Sequence, residues 1–295
     1  MAATVSTDWN FQPKVWQDHI DAYFDNKLVF GSLALTDDTL KSSPGETVNF
    51  PYFETIGAAE EPLETGSLTV DNLSDDSFSS TVKEVGKAVG AKDKAFIVSA
   101  ARRETIVMQA QKQMGRVMAE KVDADLIAEI NTVGNHEDGY VALAAADNFN
   151  VRSFNVMLTA AFGDRKDEVV AVFIHSQHEL SLMNDNTSGF LKADANDPMW
   201  SVPGFRGRLL GAAVIVSDTV PAGPVVDGKA TFYAFAVKAN AYGIIRKQDL
   251  NPEQDRDILA REWVWSTTMW YAVKAFHAKI DAEDKKIARG LFTVL

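Results

Sequence analysis

The sequence predicts a mixed α+β protein that contains one unusually long helix. Residues 102–133 carry apolar side chains at helical spacing and include no proline, a pattern that favours a single amphipathic helix. Residues 149–245 instead alternate between short helical and strand patterns, and residues 259–280 begin with a strand-like alternation. The chain has 295 residues, a length that typically corresponds to about two domains.

The predicted long helix carries a continuous apolar stripe along one face. The stripe repeats at every fourth position and consists of Ile106, Ala110, Met114, Met118, Val122, Leu126 and Ile130. Gly115 is its weak point, because glycine costs about 1 kcal/mol relative to alanine inside a helix. Gly134 is well placed to end the helix. At a rise of about 1.5 Å per residue, we expect a helix about 45 Å long.

Residues 1–45 are expected to form an arm, because their large apolar residues follow no long period. Within the arm, Val15–Asn26 has the spacing of a short helix, with apolar residues at Trp16, Ile20, Tyr23 and Phe24. The tripeptide Ser43-Pro44-Gly45 is a turn signal. The arm is therefore predicted to end in a turn.

A strand and an acidic segment follow the arm. Glu46–Phe50 alternates like a strand, and Pro51 confines that strand to a sheet edge or ends it. Residues 57–78 contain six acidic residues and no lysine or arginine, so they hold half of the net charge of −12. Loops of this length are uncommon inside a compact domain and usually indicate function or disorder. Two interpretations stay open, a solvated surface loop and a long flap that reaches a partner.

The remaining chain alternates between the two kinds of element. Ser80–Val89 is ambiguous, because its valines have helical spacing while Gly86 weakens a helix. The predicted elements are helix Val151–Phe162, strand Glu168–Ile174, helix Gln177–Asn184, strand Ala212–Ser217, a hairpin that pairs Val225–Val226 with Thr231–Val237 through an Asp227-Gly228 turn, and a strand starting at Leu259. Neither face of the last strand is purely polar, so we expect both faces to be covered.

Composition excludes several classes of protein. The absence of cysteine rules out a disulfide scaffold, cysteine-ligated metal centres and a thiol nucleophile. The N-terminus lacks the features of a signal peptide, and apolar runs such as Leu209–Val216 are far shorter than the roughly 20 residues of a membrane helix. We therefore expect a soluble protein that folds in a reducing cytoplasm. The net charge of −12 argues against a dedicated DNA reader.

Two short motifs could carry chemistry. Residues 175–179, of sequence HSQHE, lack the spacing of a zinc-binding H-E-x-x-H motif, and Ser176 with Glu179 is interpreted as a helix-capping box. Residues 204–211 combine three glycines with Arg206 and Arg208, so a phosphate site is conceivable there, although turns before a strand explain the glycines better. The tryptophans near residue 265 could stack on bases or sugars, but sheet core is the preferred interpretation. We therefore predict no catalytic, cofactor-binding or metal-binding residues.

The order of the segments resembles a known family. The turn at residues 43–45 leads into an extended excursion over 46–92, a long helix follows, and Asp123-Ala124-Asp125 precedes its last apolar turns. Residues 210–221 have the sequence LGAAVIVSDTVP, similar to a strand of the pattern Gly-small-apolar-Val-x-Val-Ser-Asp-x-x-Pro. In these features the chain resembles the major capsid proteins of tailed bacteriophages with the Hong Kong 97-type fold.

The resemblance implies a Hong Kong 97-like capsid fold with four parts. These are an N-terminal arm at 1–45, an extended β-hairpin loop at 46–92, a peripheral domain with the spine helix at 93–133 and 250–295, and an axial domain at 134–249. It also implies a function. The subunit would self-assemble into an icosahedral shell that encloses double-stranded DNA, with no enzymatic activity and no cofactor.

The resemblance further implies partners and a location. The partners are copies of the chain in hexamers and pentamers, a scaffolding protein, a portal and cement proteins, with no membrane and no sequence-specific contact to DNA. Because the arm begins at Met1 without a helical prodomain, a separate scaffolding protein or none is expected. The subunit would belong to the virion and pass through the host cytoplasm during assembly.

Some members of this family form isopeptide crosslinks between lysine and asparagine. Lys83 and Lys87 lie on the corresponding side of the loop, but no motif identifies a partner, so no crosslink residue is carried over. Two alternatives stay open. An encapsulin-like shell shares the fold but encloses an enzyme, and a soluble α/β enzyme would present a pocket with convergent polar groups.

Overall fold

The computed structural model describes residues 20–25, 27–41, 44–53, 70, 72–73, 75–98, 103–134, 148–184, 190–194, 196–226, 228–276 and 286–294. These residues form a mixed α+β structure that separates into two compact units. The first unit takes its described residues from 1–44, 82–128 and 243–273, and the second from 45–81, 129–242 and 274–295.

The secondary structure follows the chain in this order. The helices are α1 (residues 20–25), α2 (Asp93–Val98), α3 (Arg103–Gly134), α4 (Val151–Phe162) and α5 (Ser176–Asn184). The strands are β1 (Leu35–Asp37), β2 (Thr47–Phe53), β3 (Asp75–Thr81), β4 (Lys83–Lys92), β5 (Val169–Ile174), β6 (Phe190–Lys192), β7 (Phe205–Leu209), β8 (Ala212–Val216), β9 (Thr231–Lys238), β10 (Tyr242–Asp257), β11 (Glu262–Ala275) and β12 (Ile287–Thr293). Short 3-10 helices occur at Gly31–Leu33, Thr39–Lys41, Gly163–Glu168 and Pro198–Ser201.

In the first unit, α3 packs on a four-stranded sheet of order β1-β10-β11-β4. Over residues 265–271, alternate side chains of β11 are buried, namely Trp265, Thr267, Met269 and Tyr271, and Ala272 and Ala275 are buried near the end of the strand. Thr267 reaches Met114 of α3, with 3.8 Å between its Oγ1 and the Met114 Sδ. The intervening residues of β11 are mostly half-buried. The strand therefore has one fully covered face and one partly covered face.

The apolar stripe predicted for the long helix is the buried face of α3. Ala110, Met114, Met118, Val122, Leu126 and Ile130 are all buried, and Ile106 is half-buried. Fully burying a side chain of this size contributes about 1.5–3 kcal/mol. The stripe up to Leu126 is therefore an apolar contribution of α3 to the first unit.

The close approach of α1 explains why position 115, the weak point of the helix pattern, is a glycine. A Cβ atom at Gly115 would lie 2.9 Å from the Ile20 carbonyl oxygen and 3.1 Å from the Tyr23 Cβ. Ile20 and Phe24 are buried at this contact. Glycine thus costs helix propensity but lets the backbone of α1 lie against α3.

The second unit contains a six-stranded sheet of order β12-β9-β5-β8-β7-β6. β5 and β8 are parallel, whereas β9 is antiparallel to both β5 and β12. Helix α4 packs against the sheet, and its Phe154, Met157 and Leu158 join the buried core. Residues 287–293, which the resemblance groups with the peripheral domain, pair here with β9.

β2 and β3 form a separate two-stranded sheet in this unit. The strand predicted at Glu46–Phe50 begins at Thr47 and runs through Pro51 to Phe53. β3 is its partner among the described residues, so Pro51 lies in an edge strand, where a missing N–H donor is tolerated. The ambiguous segment Ser80–Val89 is strand, since it includes the end of β3 and most of β4.

The predicted hairpin around Asp227-Gly228 forms only as an isolated bridge. Val226 and Lys229 exchange backbone hydrogen bonds of 3.1 and 2.9 Å, and Gly228 has a φ of +75°. The prediction of a partner strand at Val225–Val226 is wrong, because β9 pairs with β5 and β12. The predicted strand start at Leu259 is also wrong, since residues 258–261 form a turn and β11 begins at Glu262.

Several expectations fall outside the described residues. Of the helix predicted at Val15–Asn26, residues 20–25 are confirmed as α1, and the others lie outside. The acidic segment 57–78 is described only at 70, 72–73 and 75–78. Ser43, Asp227, His19, His136 and His277 also lie outside the described part of the chain.

Leu126→Asp tests the buried stripe. The Leu126 side chain is 0% exposed, so the substitution would place an unpaired charge in the core and should cost several kcal/mol of unfolding free energy. Met108→Asp on the same helix is the matched control, because Met108 is 51% exposed. Urea unfolding measures both variants. Equal stability of the two variants would show that the stripe is assigned to the wrong face.

Candidate assembly surface

The histidine motif at residues 175–179 is used inside the second unit. Helix α5 begins at Ser176, so the capping box predicted for Ser176 and Glu179 is wrong. Instead, the Gln177 N–H donates to His175 Nδ1 at 3.2 Å, and the Glu179 carboxylate pairs with Arg206 at 2.8 Å. His175 has taken over the role of the capping side chain.

The glycine-rich segment 204–211 makes turns and a structural ion pair. Gly204 and Gly211 have φ values of +82° and +91°, which favour glycine. Arg208 binds the Asp197 carboxylate through Nε at 2.6 Å and Nη2 at 2.9 Å. This hydrogen-bonded pair lowers the pKa of Asp197 to about 2. Both arginines of the segment thus have carboxylate partners, and the phosphate interpretation gains no support.

The described residues contain no group of three or more His, Asp or Glu side chains that could hold a metal ion. Within the same part of the chain, no helix is long and apolar enough to cross a membrane.

The two carboxylates of the Asp123-Ala124-Asp125 segment have structural roles in the first unit. Asp123 is buried and accepts three backbone N–H bonds, from Val29 at 2.8 Å and from Phe30 and Gly31 at 3.1 Å each. Burial raises the pKa of Asp123 to about 6, although these three donors act in the opposite direction. Asp123 therefore anchors the chain at 29–31 to α3.

Asp125 joins α3 to two strands of the sheet. Its Oδ2 lies 2.7 Å from Lys83 Nζ on β4 and accepts the Tyr271 hydroxyl of β11 at 2.6 Å. Its Oδ1 lies 2.9 Å from Lys121 Nζ on α3 itself. Burial acts to raise the pKa of Asp125, but the hydrogen bonds from Lys83, Tyr271 and Lys121 together hold it below its ordinary value. Lys83 on the loop side of the chain thus forms an ion pair within its own subunit.

Three aliphatic side chains stand out from the surface of the first unit. Ile97 of α2 is 83% exposed, and Ile258 and Leu259 in the turn between β10 and β11 are 76% and 97% exposed. Ile97 and Ile258 line one open cleft of about 780 Å³. We call Ile97, Ile258 and Leu259 the aliphatic patch.

Basic residues surround the aliphatic patch. The residues that line the same cleft include four basic side chains, Lys92, Lys94, Arg256 and Arg261, and one acidic side chain, Asp93. Asp93 is paired with Arg256 at 2.9 Å. Asp257 is itself exposed and accepts the backbone N–H groups of Leu259 and Ala260, which fixes the turn in which Leu259 is exposed.

Sequence reasoning missed this patch. The alternating pattern predicts that Leu259 starts a strand, where its side chain would be packed against a neighbour. The available signal was the pair of adjacent aliphatic residues between Asp257 and Arg261. Charged residues flanking a short aliphatic pair are typical of a turn.

Asp123→Asn tests the anchor on α3. The substitution turns one carboxylate oxygen into an amide group that cannot accept an N–H bond, so at neutral pH it should cost about 1–3 kcal/mol of unfolding free energy. Glu120→Gln is the control, because Glu120 is exposed and pairs with Arg116, an interaction worth about 0–1 kcal/mol. Denaturant unfolding at neutral pH compares the two. Equal costs would contradict the anchoring role.

The stability cost of Asp123→Asn depends on pH with a definite sign. The pKa of Asp123 is about 6 in the folded protein against an ordinary value of 3.8, so the folded subunit binds this proton more tightly than the unfolded chain. The resulting stabilisation is full below about pH 4 and is lost as the pH rises to about 6. The stability difference between the native protein and Asp123→Asn should therefore shrink over that range. A constant difference would contradict the burial of an ionisable group at this position.

Comparison with known proteins identifies the family. A family model described as phage capsid protein matches residues 75–285, which is more than half of the chain. The major capsid protein of Staphylococcus phage phiMR11 is 25% identical over 282 residues, covering 94% of this chain and 93% of that protein.

Solved capsid structures share the fold. The capsid of Ralstonia phage GP4 is similar with a TM-score of 0.69 at 12% identity, covering 91% of this chain and 92% of that chain. The capsid of cyanophage Pam1 is similar with a TM-score of 0.64 at 13% identity, covering 100% and 98%.

These findings confirm the Hong Kong 97-type fold that the order of segments implied. The protein is a structural component of the virion, and its copies assemble into a shell. The chain belongs to the phage capsid protein family and serves as a major capsid protein.

Proposed function

We propose that the shell is icosahedral, that it consists of hexamers and pentamers of this chain, and that it encloses double-stranded DNA. The observation that carries the proposal is the aliphatic patch. Ile97, Ile258 and Leu259 are 76–97% exposed on a folded unit, and clustered exposed aliphatic residues typically mark a protein–protein contact. Repeated heterologous contacts of this kind close into rings when their rotation permits.

The subunit is proposed to consist of four parts with different roles in assembly. Residues 1–45 act as the arm, 46–92 as the extended loop, 93–133 with 250–295 as the peripheral domain, and 134–249 as the axial domain. Within this division, β12 of the last segment pairs with β9 in the sheet of the second unit. The pairing of β2 with β3 over 47–53 and 75–81 supports the hairpin character of the loop. The 32-residue helix α3 supports the assignment of the spine.

We infer that the aliphatic patch receives residues 57–78 of a neighbouring subunit. That segment has six acidic and no basic residues, which complements Lys92, Lys94 and Arg261 in the cleft, where Arg256 is paired with Asp93. It also carries aliphatic side chains, and the two described ones, Val70 and Leu73, are 85% and 66% exposed. An acidic segment with exposed aliphatic residues therefore meets a basic surface with exposed aliphatic residues.

Charge disfavours the simplest alternative, contact of the patch with the same patch on another copy. Lys92, Lys94 and Arg261 would then face their own copies, and like charges brought together across an interface cost several kcal/mol. The acidic segment provides opposite charge instead. The heterologous contact is therefore the favoured one.

Further partners follow from the same role. A separate scaffolding protein, a portal and cement proteins are proposed as partners, with assembly in the host cytoplasm. The subunit is proposed to perform no catalytic turnover. Its net charge of −12 suits a wall that encloses DNA without gripping it, because strong binding to phosphates requires many basic contacts.

Leu259→Ser tests the aliphatic patch. Because Leu259 is 97% exposed, the substitution should leave the unfolding free energy within about 0.5 kcal/mol while reducing the yield of closed shells. Leu180→Ser on α5 is the control, since Leu180 is 63% exposed but lies in the other unit. Sedimentation of assembled particles measures the yield. Equal yields for both variants would remove the patch from the assembly contact.

A charge swap tests the inferred occupant. Lys92→Glu with Lys94→Glu should reduce the assembly yield, because these residues would then repel the acidic segment. Adding Glu60→Lys, Glu61→Lys and Glu64→Lys should restore part of that yield. If the combined variant assembles no better than the first, residues 57–78 do not dock beside Lys92 and Lys94.

Limited proteolysis tests the same contact without substitutions. Exposed segments are the preferred sites of cleavage, so free subunits should be cut within residues 57–78 and assembled particles should resist. Mass spectrometry of the fragments locates the cut. The same cleavage rate in both states would contradict docking between subunits.

The enclosed cargo separates the proposed function from the encapsulin-like alternative. Particles recovered from phage-producing cells should protect double-stranded DNA from added nuclease, with this chain as the dominant protein. Particles that contain an enzyme and no protected DNA would contradict the proposal.

A further inference from the structure

His178 is a fully buried histidine in an aromatic cage of the second unit. Its side chain is 0% exposed. The ring centroids of Phe149, Phe232 and Phe292 lie 5.3, 6.0 and 6.1 Å from the His178 ring. These residues come from the segment before α4, from β9 and from β12. The cage provides packing but no charge.

The hydrogen bonds of His178 define its neutral form. Nε2 lies 3.2 Å from the Phe232 carbonyl oxygen, which can only accept, so Nε2 carries the proton. Nδ1 is buried and has no hydrogen-bond partner among the described residues. Protonation would therefore create a buried N–H group with no acceptor, at an unfavourable free energy.

His175 connects the start of α5 to the same phenylalanine. Its ring stacks on the Phe232 ring at a centroid distance of 3.9 Å, and its Nδ1 accepts the Gln177 N–H. Only a ring nitrogen without a proton can accept that bond. Both histidines thus contact Phe232 of β9 from the start of α5. Protonation would remove the acceptor of the Gln177 bond at His175 and leave a buried N–H without an acceptor at His178.

Among the described residues, few charged groups lie near His175 and His178. The Asp218 carboxylate lies 3.8 Å from His175 Nε2 and is itself exposed. The Glu179 carboxylate, on α5, is directed to Arg206 of β7. The cage residues contributed by the segment before α4, by β9 and by β12 carry no titratable group. Asp218 therefore favours protonation of His175 only weakly, and no described carboxylate contacts His178.

We propose that His175 and His178 form an acid-sensitive latch that holds the first turn of α5 to β9 at neutral pH and releases it in acid. The capsid role does not require this device, and the two claims stand independently. The latch gives a use to the one histidine motif in the chain that the assembly function leaves unexplained.

The direction of the pH effect follows from the two histidines. Burial lowers the pKa of His178 to about 4, and burial also lowers the pKa of His175 below its ordinary value, with Asp218 acting against that change. The released form, with histidines in water, takes up protons below about pH 6.5. The latch is therefore fully effective above that pH and weakens as the pH falls towards about 4, by up to about tenfold in the release equilibrium per pH unit for each histidine.

Hydrogen exchange of the full-length chain tests the latch. Amide protection over 176–184, corrected for intrinsic exchange, should fall by at least about tenfold between about pH 7 and about pH 5. His178→Phe keeps an aromatic ring in the cage and removes its titration, so the fall should become at least about threefold smaller. A variant with His19→Gln, His136→Gln and His277→Gln should behave like the native protein. Unchanged protection of 176–184 in acid, or the same fall in His178→Phe, would overturn the proposal.

Imidazole NMR of the native chain tests the proposed latch even if His178→Phe does not fold. With ¹⁵N-labelled histidine, the His178 ring should stay neutral and protonated at Nε2 down to about pH 5. Titration of that ring with the ordinary histidine pKa of about 6.5 would overturn the latch.

Discussion

The buried face of α3 is the constraint on which the first unit depends. Met114 contacts β11, and Gly115 lets α1 lie close to α3. About two to three turns further along the helix, the carboxylates of Asp123 and Asp125 bind residues 29–31 and the β4–β11 pair. Helix α3 is therefore the common packing partner of α1, residues 29–31, β4 and β11. A charge introduced into this face would disturb several contacts at once, because they share the same side chains.

The second unit distributes its stability differently. Its six-stranded sheet carries a cluster of buried aromatic and aliphatic residues, with Phe149, Phe154 and Phe292 all fully buried. Such a core needs no single organising helix. Both units leave apolar side chains exposed, among them Ile258 and Leu259 of the first unit and Leu191 and Val225 of the second. This surface suits a shell subunit, because apolar area that remains exposed after folding is available to a neighbour.

Much of the fold could be predicted, because helix α3, helix α4 and strand β8 depend on local periodicity that the sequence displays directly. The failures share another cause. Leu259 continues an alternating pattern but lies in a turn fixed by Asp257, and Ser176 looks like a helix cap but is preceded by His175, which accepts the capping bond. The spacing of apolar and polar residues along the chain indicates neither the turn at Leu259 nor the cap at His175. The assembly surface was missed for the same reason, since the patch joins α2 to a turn that is about 160 residues away in sequence.

The central claim is that this subunit folds around α3 and leaves a basic, aliphatic patch for the acidic loop of its neighbour. Electron cryo-microscopy of particles assembled from the full-length chain tests it most directly. The account predicts closed shells of hexamers and pentamers in which residues 57–78 of one subunit cover Ile97, Ile258 and Leu259 of the next. Closed shells in which these three side chains face solvent, or a compact monomer or dimer under every condition, would contradict it.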